Sequence, residues 1–426
     1  MPAAPLDPAP RSYPPFVSVR RRSARGVAAA PAATTVAAIE DWLLGPAVAE
    51  TDLLQLYESL VWRMIAAGLP LDRASLHVGT LHPQLLGFAW IWNAADGLMD
   101  EVKVDASSRE TDQYLRNPLR LVIERGETFD VRPQEPEARA RWPLMEELAE
   151  RGLTQYLALP LSAGGSYHNA ATLATARPGG FAADELAAIR RLLRPFALHV
   201  ERHIAQLVSA NVLDTYLGTA AGAAVLQGAI RRGAGRAIRA VIWVSDLRGF
   251  TDLTDRLPPA DVLALLNAYF ERMAGAVIAR GGEVLKFIGD GLLAAFPFAG
   301  EDEAGTAAAS ALAAADEALA AVDALSREPP PALAAIPGWR PLRSGIALHE
   351  GEVFFGNVGA PERLDFTVIG RAVNAASRVE ALSKTLARPI LLTEQVAARL
   401  TRPLEPLGIH PLRGVAEPVA LFAPMD

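Results

Sequence analysis

The sequence predicts an α+β protein with two folded domains. Its 426 residues exceed what one hydrophobic core usually supports. Two regions alternate helical and strand-like apolar patterns, and a glycine-containing segment separates them. The predicted order is a disordered tail at 1–38, a first domain at 39–207, a linking helix at 208–236 and a second domain at 237–426.

Composition and charge exclude several classes of protein. A net charge of −7 argues against a general nucleic-acid binder, which needs a basic surface. The absence of cysteine excludes disulfides and thiolate zinc sites. The most apolar stretch, residues 307–325, contains three acidic side chains, so we expect no membrane span. Because the N-terminus lacks an uninterrupted apolar signal core, we expect a cytoplasmic protein.

The predicted tail is rich in proline and alanine and carries four clustered arginines. Such a segment buries too little apolar surface to order itself. A solvated arm is therefore favoured over a docking role for these arginines, which are Arg20, Arg21, Arg22 and Arg25.

The first domain shows a helix, antiparallel strands, a second helix, a hairpin and a long exit helix. This order resembles the GAF class of small-molecule sensor domains, which implies a regulatory ligand that the sequence does not name. The elements are a helix at 53–67, strands at 74–81 and 87–92, a helix at 116–125, a hairpin of 156–161 and 170–176 around Gly164-Gly165, and a helix at 184–209.

Two groups of side chains in this domain invite a functional interpretation. Trp90, Trp92 and Trp142 could line a ligand pocket, although aromatic residues on strands and helices are more often core. His199 and His203 are four residues apart and could share a metal, although no third ligand is evident. A solvated or interface helix face is favoured for the two histidines.

The segment 215–237 joins the domains, and five glycines interrupt its helical pattern. A helix that leads directly into a second domain can transmit a rotation or a register shift between paired subunits. A passive tether is the alternative, and the sequence leaves both open.

Two aspartates in the second domain occupy special positions. Asp246 ends a buried-looking strand at 240–246, and a helix at 259–279 follows. Asp290 lies in the turn Gly289-Asp290-Gly291, where glycines permit a tight bend between two strands. If this hairpin pairs beside the first strand, the two carboxylates approach each other and require a cation between them. Hard oxygen ligands favour magnesium or manganese.

A second set of polar residues follows further along the chain. Residues 343–353 are predicted as a strand and turn, and residues 365–370 lead into a helix. That helix carries Asn374 and Arg378, which share one face and can reach one ligand together.

With these motifs together, residues 239–424 resemble a class III nucleotidyl cyclase catalytic domain. The resemblance implies a ferredoxin-like α+β fold that acts as a homodimer with composite active sites, uses two Mg²⁺ or Mn²⁺ ions and converts ATP to 3′,5′-cyclic AMP. It implies metal binding at Asp246, Leu247 and Asp290, purine reading by Lys286 and Thr367, catalysis by Asn374 and Arg378, and substrate contacts from Arg343, Phe250 and Thr251.

Thr367 stands where many relatives have aspartate, and it resembles a subgroup described as bicarbonate-responsive. Bicarbonate is therefore an expected regulator. Val244 replaces a common phenylalanine and should affect packing only. Two other activities remain as alternatives. One is a guanylate cyclase, which needs an acceptor for guanine N1–H that Lys286 does not supply, and the other is a sensor that binds nucleotide without turnover. A diguanylate cyclase is disfavoured because the second acidic residue of that family's turn is missing. The general base remains open between metal-bound hydroxide and the substrate itself.

Overall fold

The computed structural model describes residues 11–80, 85–161, 169–336, 339–414 and 417–425. The chain divides into two compact units, one ending at Val212 and the other beginning at Leu213. Each unit combines helices with one β-sheet, so the predicted α+β class is confirmed.

The N-terminal unit is built on a seven-stranded antiparallel sheet with the order β1-β4-β3-β2-β7-β6-β5. The helices cover this sheet and bury a core that includes Ile39, Leu56, Trp92 and Phe196. The strands are β1 (Val17–Ser23), β2 (Arg73–Gly79), β3 (Leu85–Asn93), β4 (Met99–Asp105), β5 (Phe129–Val131), β6 (Gln155–Leu161) and β7 (Asn169–Thr175). The helices are α1 (Val36–Leu44), α2 (Leu53–Ala66), α3 (Asp112–Leu115), α4 (Pro118–Arg125), α5 (Pro136–Arg141), α6 (Pro143–Glu150) and α7 (Ala183–Leu217).

The predicted disordered tail is wrong for the described residues 11–38. Strand β1 pairs antiparallel with β4, and its arginines reach carboxylates that the sheet buries. Arg22 Nε lies 2.6 Å from Asp100 Oδ1, Arg20 pairs with Glu101, and Arg25 pairs with Glu58. A buried carboxylate is costly without a cation, so these acids order the basic segment. Sequence patterning missed this because the acids lie up to 81 residues away.

The tryptophans and histidines singled out from the sequence are buried in the structure. Trp90, Trp92 and Trp142 are all buried, as the favoured interpretation held. The predicted solvated or interface face for His199 and His203 is wrong, because both are buried. His199 Nε2 lies 2.7 Å from the Leu43 carbonyl oxygen, and His203 Nδ1 lies 2.7 Å from the His199 carbonyl oxygen. Within the described residues, no group of three or more possible metal-ligating acids, histidines or cysteines occurs.

The predicted hairpin of the first domain is present as β6 and β7, which pair antiparallel. Its Gly164-Gly165 turn lies outside the described residues. The helix predicted at 116–125 begins two residues later at Pro118, because the Asn117 side chain accepts from Leu119 N–H and caps it.

The C-terminal unit contains an eight-stranded sheet with the order β14-β15-β13-β11-β8-β10-β9, and β12 pairs with β11. Strands β8 to β11, with α10 and α11 as connections, give the β-α-β-β-α-β order of ferredoxin-like folds. The strands are β8 (Gly235–Leu247), β9 (Glu283–Ile288), β10 (Gly291–Phe298), β11 (Ser344–Ala360), β12 (Arg363–Ile369), β13 (Ile390–Thr393), β14 (Leu404–His410) and β15 (Val419–Pro424).

Helices cover both faces of this sheet. Alanines of α11 allow that helix to pack closely on α10 and the sheet, and α13 packs against the other face, on β11 and β8. The helices are α8 (Thr219–Leu226), α9 (Phe250–Thr254), α10 (Pro259–Ala279), α11 (Glu301–Arg327), α12 (Pro331–Ala334), α13 (Arg371–Thr385) and α14 (Glu394–Ala397).

Two sequence-based boundaries differ from the structure. The turn expected within 343–353 is absent, because β11 continues to Ala360 and pairs with β8 along the whole length of β8. The glycine-broken linker is also more regular than predicted. Helix α7 continues to Leu217, Gly218 adopts φ +82°, and α8 packs on the sheet of the C-terminal unit through Ala221.

In the described part of the chain, one helix, α10, is long and apolar enough to pass a length-and-composition test for a membrane span. This test is also met by core helices of soluble proteins. Here α10 buries Leu265, Tyr269, Met273 and Val277 against the C-terminal core.

Candidate active site

Asp246 lies at the end of β8, the strand that β10 and β11 enclose. A chain of hydrogen bonds fixes the backbone at this position. Ser344 Oγ lies 2.9 Å from the Asp246 carbonyl oxygen and 2.7 Å from the hydroxyl of the buried Tyr269. Burial raises the pKa of Tyr269, so its hydroxyl remains protonated and available for this bond. These two positioning residues carry no recognisable motif and were missed from the sequence.

Asp290 lies at the tip of the β9–β10 hairpin, as predicted. Gly289 has φ +61°, which closes the two-residue connection. A Cβ on Gly291 would lie 2.8 Å from the Ser245 carbonyl oxygen and 3.7 Å from Asp246 Oδ1, so glycine permits the hairpin to approach β8. The predicted approach of the two carboxylates is therefore present in the structure.

The two aspartates influence each other electrostatically. Burial raises the pKa of Asp290, and the neighbouring charge of Asp246 raises it further. Two adjacent carboxylates of this kind are the oxygen ligands that magnesium and manganese prefer. Leu247, the third residue predicted at the metal site, has a buried side chain beside Asp246. The residues present therefore fit a divalent-cation site that substrate oxygens would complete.

A buried polar cluster lies behind the aspartates and was not predicted. Arg248 Nη2 donates to Ser383 Oγ at 2.7 Å, and Ser383 Oγ donates to Glu380 Oε1 at 3.1 Å. Burial raises the pKa of Glu380, and Asp246 raises it further. The cluster therefore joins helix α13 to the end of β8 through side chains.

The predicted purine-reading residues lie on facing strands, but the contact they make differs from the expectation. Lys286 on β9 forms an ion pair with Asp365 on β12, two residues before Thr367. Asp365 and Thr367 lie on the same face of β12, because Phe366 and Val368 between and beyond them are buried on the other face. The sequence interpretation missed Asp365, although its spacing of two from Thr367 was a visible signal.

The remaining predicted residues lie on α13, on α9 and directly before β11. Asn374 is exposed and Arg378 half-buried on α13, and no hydrogen bond or ion pair described in the structure joins either one to Asp246 or Asp290. Phe250 and Thr251 form the first turn of α9 after Gly249, which has φ +75°. Arg343 is exposed, and its carbonyl accepts from Arg248 N–H at 2.8 Å.

The comparisons with known proteins identify this region. Residues 236–418 match the model of the adenylate and guanylate cyclase catalytic domain. Over these residues the chain is similar to nucleotidyl cyclase catalytic domains. The chain is similar to an adenylate cyclase of Anabaena cylindrica, with 36% identity over 41% of this chain and 33% of the relative. It is also similar to adenylate cyclase 1 of Rhizobium meliloti, with 31% identity over 40% of this chain and 25% of the relative.

Among solved structures, the adenylyl cyclase CyaB from P. aeruginosa is 26% identical over 45% of this chain and 95% of that chain, with a TM-score of 0.40. The chain spans a quarter to a third of the length of the two curated cyclases it matches. The matched family includes cyclases of both purine nucleotides, so the choice of base must be argued from this chain's own residues.

Proposed function

We propose that this protein is an adenylate cyclase, which converts ATP to 3′,5′-cyclic AMP and pyrophosphate. The observation that carries the proposal is the Asp246–Asp290 carboxylate pair, held at the end of the central strand of a cyclase-type domain. The resemblance and the relatives named adenylate cyclase support the same reaction.

In the proposed mechanism, Asp246 and Asp290 would hold two divalent cations. Bound there, these ions would lower the pKa of the ribose 3′-hydroxyl and neutralise charge on the triphosphate. The 3′-hydroxyl loses its proton to hydroxide or to the substrate's own triphosphate, and its oxygen forms a bond to the α-phosphorus while the α-phosphorus bond to the bridging oxygen breaks and pyrophosphate leaves. Arg378 stabilises charge on the α-phosphoryl oxygens, and Asn374 orients the ribose.

The proposed enzyme is a homodimer with composite active sites. Within one chain, α13 carries Asn374 and Arg378 without a described contact to the two aspartates. A twofold dimer would bring each of these residues to the aspartates of the partner and produce two equivalent sites. The exposed side chains of Phe287, Ile288 and Ile369 on β9 and β12 provide apolar surface for such an association.

The proposed regulatory role of the N-terminal unit rests on a cavity of about 390 Å³. Its walls are largely apolar, with Phe16, Phe88 and Leu119 among them, and His77 is one of its polar groups. Burial lowers the pKa of His77 to about 3, so its ring is neutral at physiological pH. Such a mixture of apolar surface and few polar groups is typical of small-molecule sites.

The route from that unit to catalysis is proposed to pass through the segment 213–234. Within the C-terminal unit, α8 packs in one hydrophobic cluster with Leu285, Phe366 and Val373. Each of these three residues is directly followed in sequence by a predicted site residue. Asn357 Nδ2 also donates to the Ala229 carbonyl and holds the segment to β11. A shift of this segment would therefore displace the strands that carry Lys286 and Thr367.

Incubation of the pure protein with manganese and either ATP or GTP, followed by chromatography for the cyclic product, tests the activity. We expect cyclic AMP from ATP and little cyclic GMP. Formation of cyclic GMP alone, or of no cyclic nucleotide, would contradict the proposal. A fragment beginning at Leu213 should keep the substrate but change the rate, and bicarbonate should raise the rate of both proteins. Identical kinetics in all four assays would contradict both forms of regulation.

A further inference from the structure

We propose that Glu380, Ser383 and Arg248 are positioning residues, which fix the chain at Asp246 so that its carboxylate can bind a divalent cation. This role rests on the proposed adenylate cyclase function and deepens it. The starting observation is the chain of hydrogen bonds that runs from Arg248 through Ser383 to Glu380 behind the aspartate.

Asp246 and these side chains lie on the same face of the sheet. Val244, two residues before Asp246 on β8, packs in one hydrophobic cluster with Ala376 of α13. Because side chains two residues apart on a strand share a face, Asp246 also faces α13. Glu380 follows Ala376 by one helical turn and Ser383 follows by two, so both face the sheet as well.

A glycine on β11 makes room for the three polar side chains directly beside Asp246. Gly345 is the register partner of Asp246 in the pairing of β8 with β11. A Cβ at Gly345 would lie closer than 3.0 Å to Glu380 Oε1, Ser383 Oγ and Arg248 Nη2. The polar groups therefore meet over the backbone that pairs with the aspartate.

Arg248 fixes the chain just after Asp246 by two hydrogen bonds. Its backbone N–H donates to the Arg343 carbonyl oxygen at 2.8 Å, and its Nη2 donates to Ser383 Oγ at 2.7 Å. Ser383 Oγ in turn donates to Glu380 Oε1 at 3.1 Å. Because Asp246 is only two residues from this anchor, loss of the anchor should let the carboxylate leave its binding position.

Burial argues for a positioning role and against contact with substrate. Glu380 is 7% exposed and Ser383 is fully buried, so neither side chain forms the surface that substrate meets. A buried carboxylate whose described hydrogen-bond donor is a neutral hydroxyl stabilises a fold poorly. Residues that orient metal ligands from behind typically contribute about 10–100-fold to metal affinity or activity.

The manganese dependence of the full chain tests this role. Glu380→Leu removes the acceptor of the Ser383 hydroxyl at similar volume. We expect the manganese concentration for half-maximal cyclic AMP formation to rise about tenfold or more. KM for ATP at saturating manganese should stay near the wild-type value, because Glu380 does not contact substrate. Glu380→Gln keeps an oxygen that accepts from Ser383 and should stay near wild type in both measurements.

A second readout does not depend on turnover. Manganese should raise the melting temperature of Glu380→Leu less than that of wild type at the same manganese concentration, because the variant binds the cation more weakly. If the wild-type protein forms no cyclic nucleotide, the proposed function fails separately, and this shift still tests the positioning role. Arg248→Met replaces Glu380→Leu if that variant does not fold.

Glu350→Leu is the matched control. Glu350 is also 7% exposed, and it lies opposite Val241, five residues before Asp246 on β8. Its loss should lower the melting temperature, because Arg239 and Arg399 lose a partner, but it should leave the manganese dependence unchanged. A wild-type manganese dependence in Glu380→Leu overturns the positioning role, and so does an equal change in Glu350→Leu.

Discussion

At the scale of single residues, the proposed metal site depends on two carboxylates, each of which destabilises the charged form of the other when no cation is bound. The raised pKa of Asp290 shows that its charged form is destabilised by burial and by Asp246. The folded state therefore holds the Asp290 proton more tightly than the unfolded chain does. The contribution of this group to stability falls as pH rises through the ordinary range of an aspartate and above it.

Asp290→Ala should consequently raise the melting temperature in metal-free buffer while it reduces turnover below about 1% of wild type, because charge stabilisation at the phosphates is lost. Manganese should raise the melting temperature of the wild-type protein but not of the variant. Asp255→Ala, at an exposed position after α9, serves as the control. Activity above a few per cent in Asp290→Ala, or a manganese shift equal to that of wild type, would contradict the site.

Tyr269 tests whether the hydrogen-bond chain behind Asp246 matters for metal binding. Tyr269→Phe removes the bond to Ser344, so the buried Ser344 hydroxyl keeps only its bond to the Asp246 carbonyl. We expect a loss of about 1–3 kcal/mol in the free energy of unfolding, from denaturant titration. The manganese concentration for half-maximal activity should also rise, since Ser344 positions the Asp246 backbone. An unchanged manganese dependence would show that the chain is structural only.

At the scale of elements, β1 is held in the N-terminal sheet by charge as well as by backbone pairing. Asp100 is fully buried and is contacted by Arg22 and by Arg11 and Tyr13. Arg22→Ala should lower the free energy of unfolding by about 1–3 kcal/mol, because the buried Asp100 carboxylate loses one partner but retains two others. Arg109→Ala, on an exposed turn, is the control. Equal melting curves for the two variants would contradict the role of β1.

Helix α13 depends on a close contact with β11 at Gly351. A Cβ at Gly351 would lie 2.6 Å from the Cβ of Ala372, so Gly351→Ala must displace the helix that carries Asn374 and Arg378. We expect kcat to fall about a hundredfold, since catalytic groups misplaced by about 1 Å lose that much. Gly275→Ala adds the same methyl group to α10 where no atom lies within 4 Å, and it should retain activity. Comparable kcat values for both variants would argue against the coupling.

At the scale of the whole molecule, the proposed composite site makes a quantitative prediction for mixed dimers. Asp246→Ala and Asn374→Ala homodimers should each be nearly inactive, because both of their sites contain a defect. A mixed dimer places both defects in one site and leaves the other complete. Random reassortment of equal amounts should therefore restore about a quarter of wild-type activity, if the sites act independently.

Co-expression with two affinity tags allows the mixed dimer to be purified, and its activity should be about half that of wild type. A mixture of Asp246→Ala with Asp290→Ala is the matched control. Each site takes both aspartates from one subunit, so every site in the mixed dimer carries one defect and no complete site forms. Purified mixed dimers as inactive as their parents would contradict the composite site, since an active site within one subunit predicts no rescue.

Much of the candidate site could be predicted from the sequence because its motifs are local. A buried strand ending at Asp246, a glycine-framed turn at Asp290 and the spacing of Asn374 and Arg378 are all set within a few residues of chain. The bounds of α10 and the β9–β10 hairpin follow from the same local rules of apolar periodicity and glycine geometry.

Only the tertiary structure decided which distant residues meet. The order of β1 depends on acids brought from β4, and the partner of Lys286 depends on the meeting of β9 with β12, 79 residues apart in sequence. The burial of His199 and the continuation of β11 likewise depend on packing against other elements. Local patterns determine which element forms, whereas the free energy of a charge or polar group depends on neighbours that the chain assembles only on folding.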